Sequence, residues 1–308
     1  MKRLLFGFTI AALVAGSQTI RGQKGGNPFI DHSDTGETVH VLPAPAAVRS
    51  PHDTQPTDAP AHDGAGVYPA NYGSGQLLYH GAGHQIPTAS FFAIYWNSTV
   101  ADSKLTATGN TLHSTIESFV SNFSNSADYS VIQQYSKADT IQPVLLWAGE
   151  RVDKQPTQSS ISDSRVQSYI ASLFTSSVQP VQPNPNTLYA VYFPSGMKIN
   201  LQGGMSCSSF CGYHGHFSYY GTDIKYAVFP YTDCRACSMS GKTVFDILTI
   251  VSSHEIREAV TDPDLNAWYD SVGYEADDKC AWHNLYPMTS GFWVQPEYSN
   301  AAAGCVVP

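Results

Sequence analysis

The stretch Ser253-His254-Glu255-Ile256-Arg257-Glu258-Ala259-Val260-Thr261-Asp262-Pro263 decides how this chain is read. It closes a segment in which Phe245, Ile247, Leu248, Ile250 and Val251 recur at helical spacing, which predicts a helix from a Thr243 cap to Asp262. Pro263 sets the end, because proline disfavours helical geometry in the residue before it. Residues four apart share a helix face, so His254 and Glu258 stand side by side on the buried side of this helix, with Glu255 at their flank. A carboxylate placed there is costly unless a cation or hydrogen bonds offset its charge.

Two ligands from one helical turn leave a metal ion open to a third ligand and a water, whose proton an adjacent glutamate can take. On this pattern His254 and Glu258 are metal ligands, Zn2+ is the expected ion, and Glu255 is the general base acting on the metal-bound water. Gly273-Tyr274-Glu275-Ala276-Asp277-Asp278-Lys279-Cys280 follows about twenty positions on. It supplies Glu275 as third ligand and Asp278 as the carboxylate that orients His254. This order resembles thermolysin-like zinc peptidases, with Glu258 standing where such motifs carry a second histidine. His214 and His216 in Cys211-Gly212-Tyr213-His214-Gly215-His216 are alternative ligands. Asp264 is another, although Pro263 occupies its approach. Tyr269 is the candidate for stabilising an oxyanion. Arg257 is expected beside the ligands, pairing with Glu255 or Glu258; in the competing reading that pairing, with hydrogen bonds, replaces the metal altogether.

Around this centre the chain divides into three parts. Lys2-Arg3 followed by the apolar run Leu4 to Ala15 reads as a signal peptide over 1–22, too short to span a bilayer, and implies export to an extracellular or periplasmic space. Residues 23–74 are rich in Pro, His, Asp and Thr and read as an unstructured linker or removable leader, with His32, His40, His52 and His62 solvated. Residues 75–308 read as one domain. Strands are predicted at 90–96, 141–147, 188–193 and 224–229, and helices at 105–123 and 163–174. The last two strands are joined by a loop rich in Gly, Ser and Cys. The alternation predicts an α/β (α+β) fold, a mixed β-sheet with packed helices and the metal helix beneath it. Cys207, Cys211, Cys234, Cys237, Cys280 and Cys305 all lie in the last third. In an oxidising compartment an even number favours disulfides over a thiolate metal or redox site.

The net charge of -9 with only 16 Lys plus Arg excludes the basic footprint of a nucleic-acid or anionic-membrane binder. No Gly-x-Ser-x-Gly elbow is present, which argues against a serine hydrolase. The chain resembles the phosphate-induced, EXORDIUM-like secreted family. The likeness rests on Tyr79-His80-Gly81, Cys207-x-x-x-Cys211-Gly212-x-His214-Gly215, Tyr226 with Cys234-x-x-Cys237, and the helix motif through Thr261-Asp262-Pro263. It continues through Asn266-Ala267-Trp268-Tyr269 and Glu275-x-x-Asp278-x-Cys280, in order over about 75–308. That resemblance implies an exported, disulfide-bonded domain. Two functions are carried forward: a secreted zinc metallopeptidase acting on an extracellular peptide or protein along an edge strand near Ile224 to Phe229, and a non-enzymatic binding or signalling protein on a zincin-like scaffold with a cell-wall or glycan partner.

Overall fold

The computed structural model describes residues 26–48, 65–81, 83–105 and 108–308. The signal segment at 1–22, His52 and His62 lie outside the described residues. Seven strands form the main sheet: β1 (Ile30–His32), β2 (Thr38–Pro43), β3 (Ala89–Tyr95), β4 (Leu145–Val152), β5 (Thr187–Tyr192), β6 (Phe210–Tyr219) and β7 (Thr222–Phe229). Their order across the sheet is β1-β2-β6-β7-β5-β3-β4. Strands β7, β5, β3 and β4 run parallel, whereas β6 is antiparallel to both β7 and β2. The fold is therefore a mixed α/β architecture built on one large mixed sheet. Central β5, Thr-Leu-Tyr-Ala-Val-Tyr, is buried at every position, as expected of a strand covered on both faces.

Three longer helices pack on this sheet: α1 (Leu112–Phe123), α2 (Asp163–Phe174) and α3 (Val244–Thr261). Helix α3 begins where the sequence places it. Thr243 accepts from the Asp246 N–H, and the Asp246 side chain accepts from the Thr243 N–H, which closes a capping box. Asp262 ends it and takes the Asn266 and Ala267 N–H groups, each at 2.6 Å, reversing the chain. All but the first and third residues of α3 are buried, packed between β6, β7 and the short strand Trp293–Val294. Three disulfides, Cys207–Cys234, Cys211–Cys237 and Cys280–Cys305, staple the C-terminal half. Among the described residues no helix is long and apolar enough to cross a membrane.

Several expectations need correction. Regular structure is present well before Leu77: β1 and β2 form a hairpin that extends the main sheet. The supposed loop before Ile224 is strand β6, ten residues long. Its Gly, Cys and His content hides an edge-to-centre strand whose pairing comes from β2 and β7. Strand β4 starts at Leu145, four residues late, after Pro143, which has no N–H to give a ladder. Helix α1 starts at Leu112 behind the Thr111 cap rather than at 105, since Gly109 at φ +73° turns the chain first. Strand β7 is flanked by β6 and β5, so it offers no free edge for substrate.

Candidate metal centre

One turn of α3 carries His254, Glu255 and Glu258, all fully buried. His254 Nε2 lies 3.0 Å from Glu258 Oε2, as the helical period requires. Opposite them, the segment after Gly273 brings in Glu275 and Asp278, also fully buried. Asp278 is positioned by two backbone bonds: its N–H donates to Glu258 Oε1 at 2.9 Å, and its Oδ2 accepts from the Glu275 N–H at 2.9 Å. Asp278 Oδ1 then stands 3.7 Å from His254 Nε2. Glu258 and Glu275 are buried neighbours, and burial together with the charge of Glu258 pushes the Glu275 carboxyl up; like charges held together this way favour a shared proton or a cation.

The sheet adds two more imidazoles. His214 on β6 reaches Glu255 Oε2 from Nδ1 at 3.0 Å, Glu258 Oε2 at 3.9 Å, and Glu275 Oε2 from Nε2 at 3.7 Å. His40 on β2 stands 3.1 Å from Glu275 Oε1 and 3.9 Å from Asp278 Oδ2. His40 and His214 are cross-strand partners in the β2–β6 ladder, with ring centroids 5.7 Å apart. Two sets of donor atoms, His40 with Glu258 and Asp278, and His214 with Glu255 and Glu258, each lie within 4.8 Å of one another.

Burial sets the electrostatics. It pushes the carboxyls of Glu255, Glu258, Glu275 and Asp278 well above their ordinary range, and their mutual repulsion adds to this. Burial likewise lowers His40 to about 3 and His254 to about 4, and holds His214 well below its usual value. Neither nearby buried cation forms an ion pair with the cluster. Arg257 is turned away to Asp277 and Glu297, and Lys279 to Asp270. The result is a set of buried atoms with no aligned hydrogen-bond partner: His40 Nδ1, His214 Nε2, His254 Nε2, Glu258 Oε2, Asp278 Oδ1 and both Glu275 oxygens. Such orphans are rare in a folded interior, and a mixed nitrogen and carboxylate donor set of this kind could hold a divalent cation.

Most predicted residues therefore come together, with changes of role. Glu275 meets His40 and His214, while Asp278 stands 3.7 Å from His254 Nε2, behind Glu258 at 3.0 Å. Arg257 neutralises neither Glu255 nor Glu258. Its Nε donates to Asp277 Oδ2 at 3.1 Å, and Asp277 takes the Gln295 amide, which in turn donates to His254 Nδ1 at 3.1 Å. Arg257 thus orients the histidine through two intermediaries. His216 leaves the site, although it shares a strand face with His214 about 7 Å away; it pairs with Asp223 at 3.0 Å, and Lys225 joins Asp223 to Asp264. Tyr269 stacks on His80 in a separate two-stranded ribbon with Leu78–Tyr79.

Sequence reasoning missed His40 and Gln295. For His40 a signal existed: Thr38-Val39-His40-Val41-Leu42 is rich in β-branched residues. Gln295 had none. No family model matches the chain, and no curated protein and no solved structure is found similar to it.

Gly212 explains how the strand approaches so closely. A Cβ there would clash with Val251 Cγ1 and lie 3.1 Å from Glu255 Oε1. Gly212→Ala is expected to cost about 1–3 kcal/mol through overpacking, read as a lower midpoint in chemical denaturation; an unchanged midpoint would mean β6 can recede from α3.

Proposed function

We propose that this chain is an exported zinc-dependent hydrolase of the peptidase class, with a zincin-like arrangement in which the metal helix packs under a mixed sheet. The observation that carries the reading is the convergence of three neutral imidazoles and four carboxyls with orphaned atoms and no Lys or Arg among them. His254 and Glu258 would hold the ion, with Asp278, Glu275 and His214 supplying the rest of the donor set. A bound dication at such a site polarises a carbonyl and acidifies water. Glu255, hydrogen-bonded to His214 at 3.0 Å, is the group to take a proton from the attacking water, and His214 to hold that carboxyl in place. Gln295 fixes the His254 ring. The three disulfides fit an extracellular protein, and membership in the EXORDIUM-like group rests on the ordered motifs.

Purified protein should carry zinc in stoichiometric amount by elemental analysis, and Glu258→Ala should lose it. Glu255→Gln should keep the zinc and, once the site is exposed, lower peptide cleavage by about 10²–10⁴-fold, the usual cost of a lost general base. Protein that purifies and reconstitutes without any divalent ion ends this reading. Full burial of the donors favours a second one, a non-enzymatic extracellular protein with a structural ion; zinc held tightly by a site that cleaves nothing once exposed would establish it.

A further inference from the structure

A hydrolase must admit its substrate, yet His214, His254, Glu255, Glu258 and Glu275 are all at most 1% exposed. What lies over them is specific. Strand β2 runs antiparallel along β6, with His40 opposite His214 and Leu42 opposite Gly212. The ladder skips at Cys211, a bulge that bends β6 at this point. Alternate residues of a strand share a face, so His40 and Leu42 both point toward α3. His40 delivers its ring to Glu275 and Asp278. Beyond Leu42, the Pro43 carbonyl accepts from Trp282 Nε1 at 2.7 Å, and the Ala44 N–H donates to the Ser209 carbonyl at 2.9 Å.

These are the contacts an extended peptide makes when it adds to a sheet edge beside a catalytic group: main-chain ladder bonds and one side chain into the site. We propose that the β6 edge and the buried cluster together form a groove for an extended polypeptide, and that Thr38–Pro43 is its built-in occupant. This rests on the hydrolase reading. His40 completes the donor set in place of substrate, and the intact chain is latent. The geometry of attachment agrees. Residues 26–48 contain no cysteine and no disulfide reaches them; they join the rest of the chain through residues 49–64, so one cut there leaves β1 and β2 held by non-covalent contacts alone. A tethered segment acts at an effective concentration of order millimolar, which is lost on cutting and dilution.

The test uses the full chain with a site-specific protease sequence inserted after Ala61. The protein is cut, the amino-terminal piece is removed by gel filtration, and its loss is confirmed by mass. Three readouts are compared with uncut protein: diethylpyrocarbonate labelling of His214 and His254, the rate of zinc loss to a chelator, and cleavage of a quenched peptide. All three should rise, labelling and chelation by at least about 100-fold if the effective concentration falls from millimolar to about ten micromolar. A synthetic peptide spanning residues 36–47 should reverse the gain, and the same peptide with His40→Ala should do so far more weakly. If labelling and chelation are unchanged in the segment-free protein, or if the protein unfolds when the segment leaves, the strand is simply part of the sheet and the proposal is wrong. Faster labelling and chelation without cleavage would keep the groove and its occupant but remove the hydrolase reading. In protein devoid of zinc, labelling alone decides.

Discussion

Arg257→Leu is expected to destabilise the fold by roughly 3–5 kcal/mol, the range for breaking a buried ion pair from one side. The guanidinium is 1% exposed and bonded to both oxygens of Asp277, to the Gln295 carbonyl at 3.0 Å and to the Asp128 carbonyl at 3.3 Å, with Glu297 3.7 Å away. Leucine leaves Asp277 and Glu297 without a counter-charge in a region from which water is excluded. The damage should not stop there. Asp277 orients Gln295, and Gln295 holds His254, so the variant should also bind zinc more weakly, by about 10–100-fold as for other supporting partners of a ligating histidine. Adding Asp277→Asn should restore part of the stability, because it removes the charge left unpaired. Urea denaturation and a zinc titration of both variants check this. A loss below 1 kcal/mol would mean that Asp277 and Glu297 are already neutral in the folded chain.

Metal-free and zinc-loaded protein should respond to pH in opposite senses above about pH 6.5. In the absence of an ion, Glu255, Glu258, Glu275 and Asp278 have folded pKa values raised well above their ordinary 4.5 and 3.8. Their contribution is present below those ordinary values and is lost as pH climbs through the raised ones. The imidazoles act the other way: with His40 lowered to about 3 and His254 to about 4 from 6.5, their contribution is complete above 6.5 and fades as pH falls toward the folded values. Between roughly pH 4 and 6.5 the two sets oppose each other. Above 6.5 the imidazole contribution is constant, so any further change that this cluster makes to metal-free stability comes from the raised carboxyls and is a loss. A dication needs those carboxylates ionised, so zinc binding releases protons and tightens as pH rises. At 1,000-fold excess over its dissociation constant zinc adds about 4 kcal/mol, on the order of 10 °C in Tm for a chain of this size. Thermal melts at pH 6.5, 7.25 and 8 with and without zinc would show the gap widening; parallel curves would place the binding site elsewhere.

How much of this could be read beforehand depends on how local the causes are. The bounds of α3 follow from Thr243, Asp246 and Pro263, all within a few residues of the ends they set. The pairing of His254 with Glu258 follows from the helical period, and the expectation of disulfides, though not their pairing, from an even cysteine count behind a stretch that reads as an export signal. Residues 163–174 form a helix at the predicted bounds because its apolar positions Val166, Tyr169, Ile170 and Leu173 recur at helical spacing. Strands fare worse. β6 carries Gly212, His214, Gly215 and His216, a composition that resembles a loop until β2 and β7 flank it. β2 sits in a Pro- and His-rich stretch, and its partner lies about 170 positions away.

Taken alone, the order of residues determined the helix, the four acidic or basic groups on one turn of it, the carboxylates Glu275 and Asp278 that follow, and the cysteines available for bridging, since each depends on neighbours within a turn or on composition. Only the tertiary structure decided that His40 rather than His216 joins them, that Arg257 serves Asp277 instead of Glu258, and that the cluster is covered by a strand from the chain's own beginning. Those outcomes turn on which segments of distant sequence pack against one face of α3, and burial, acting on every group gathered there, then sets their charges.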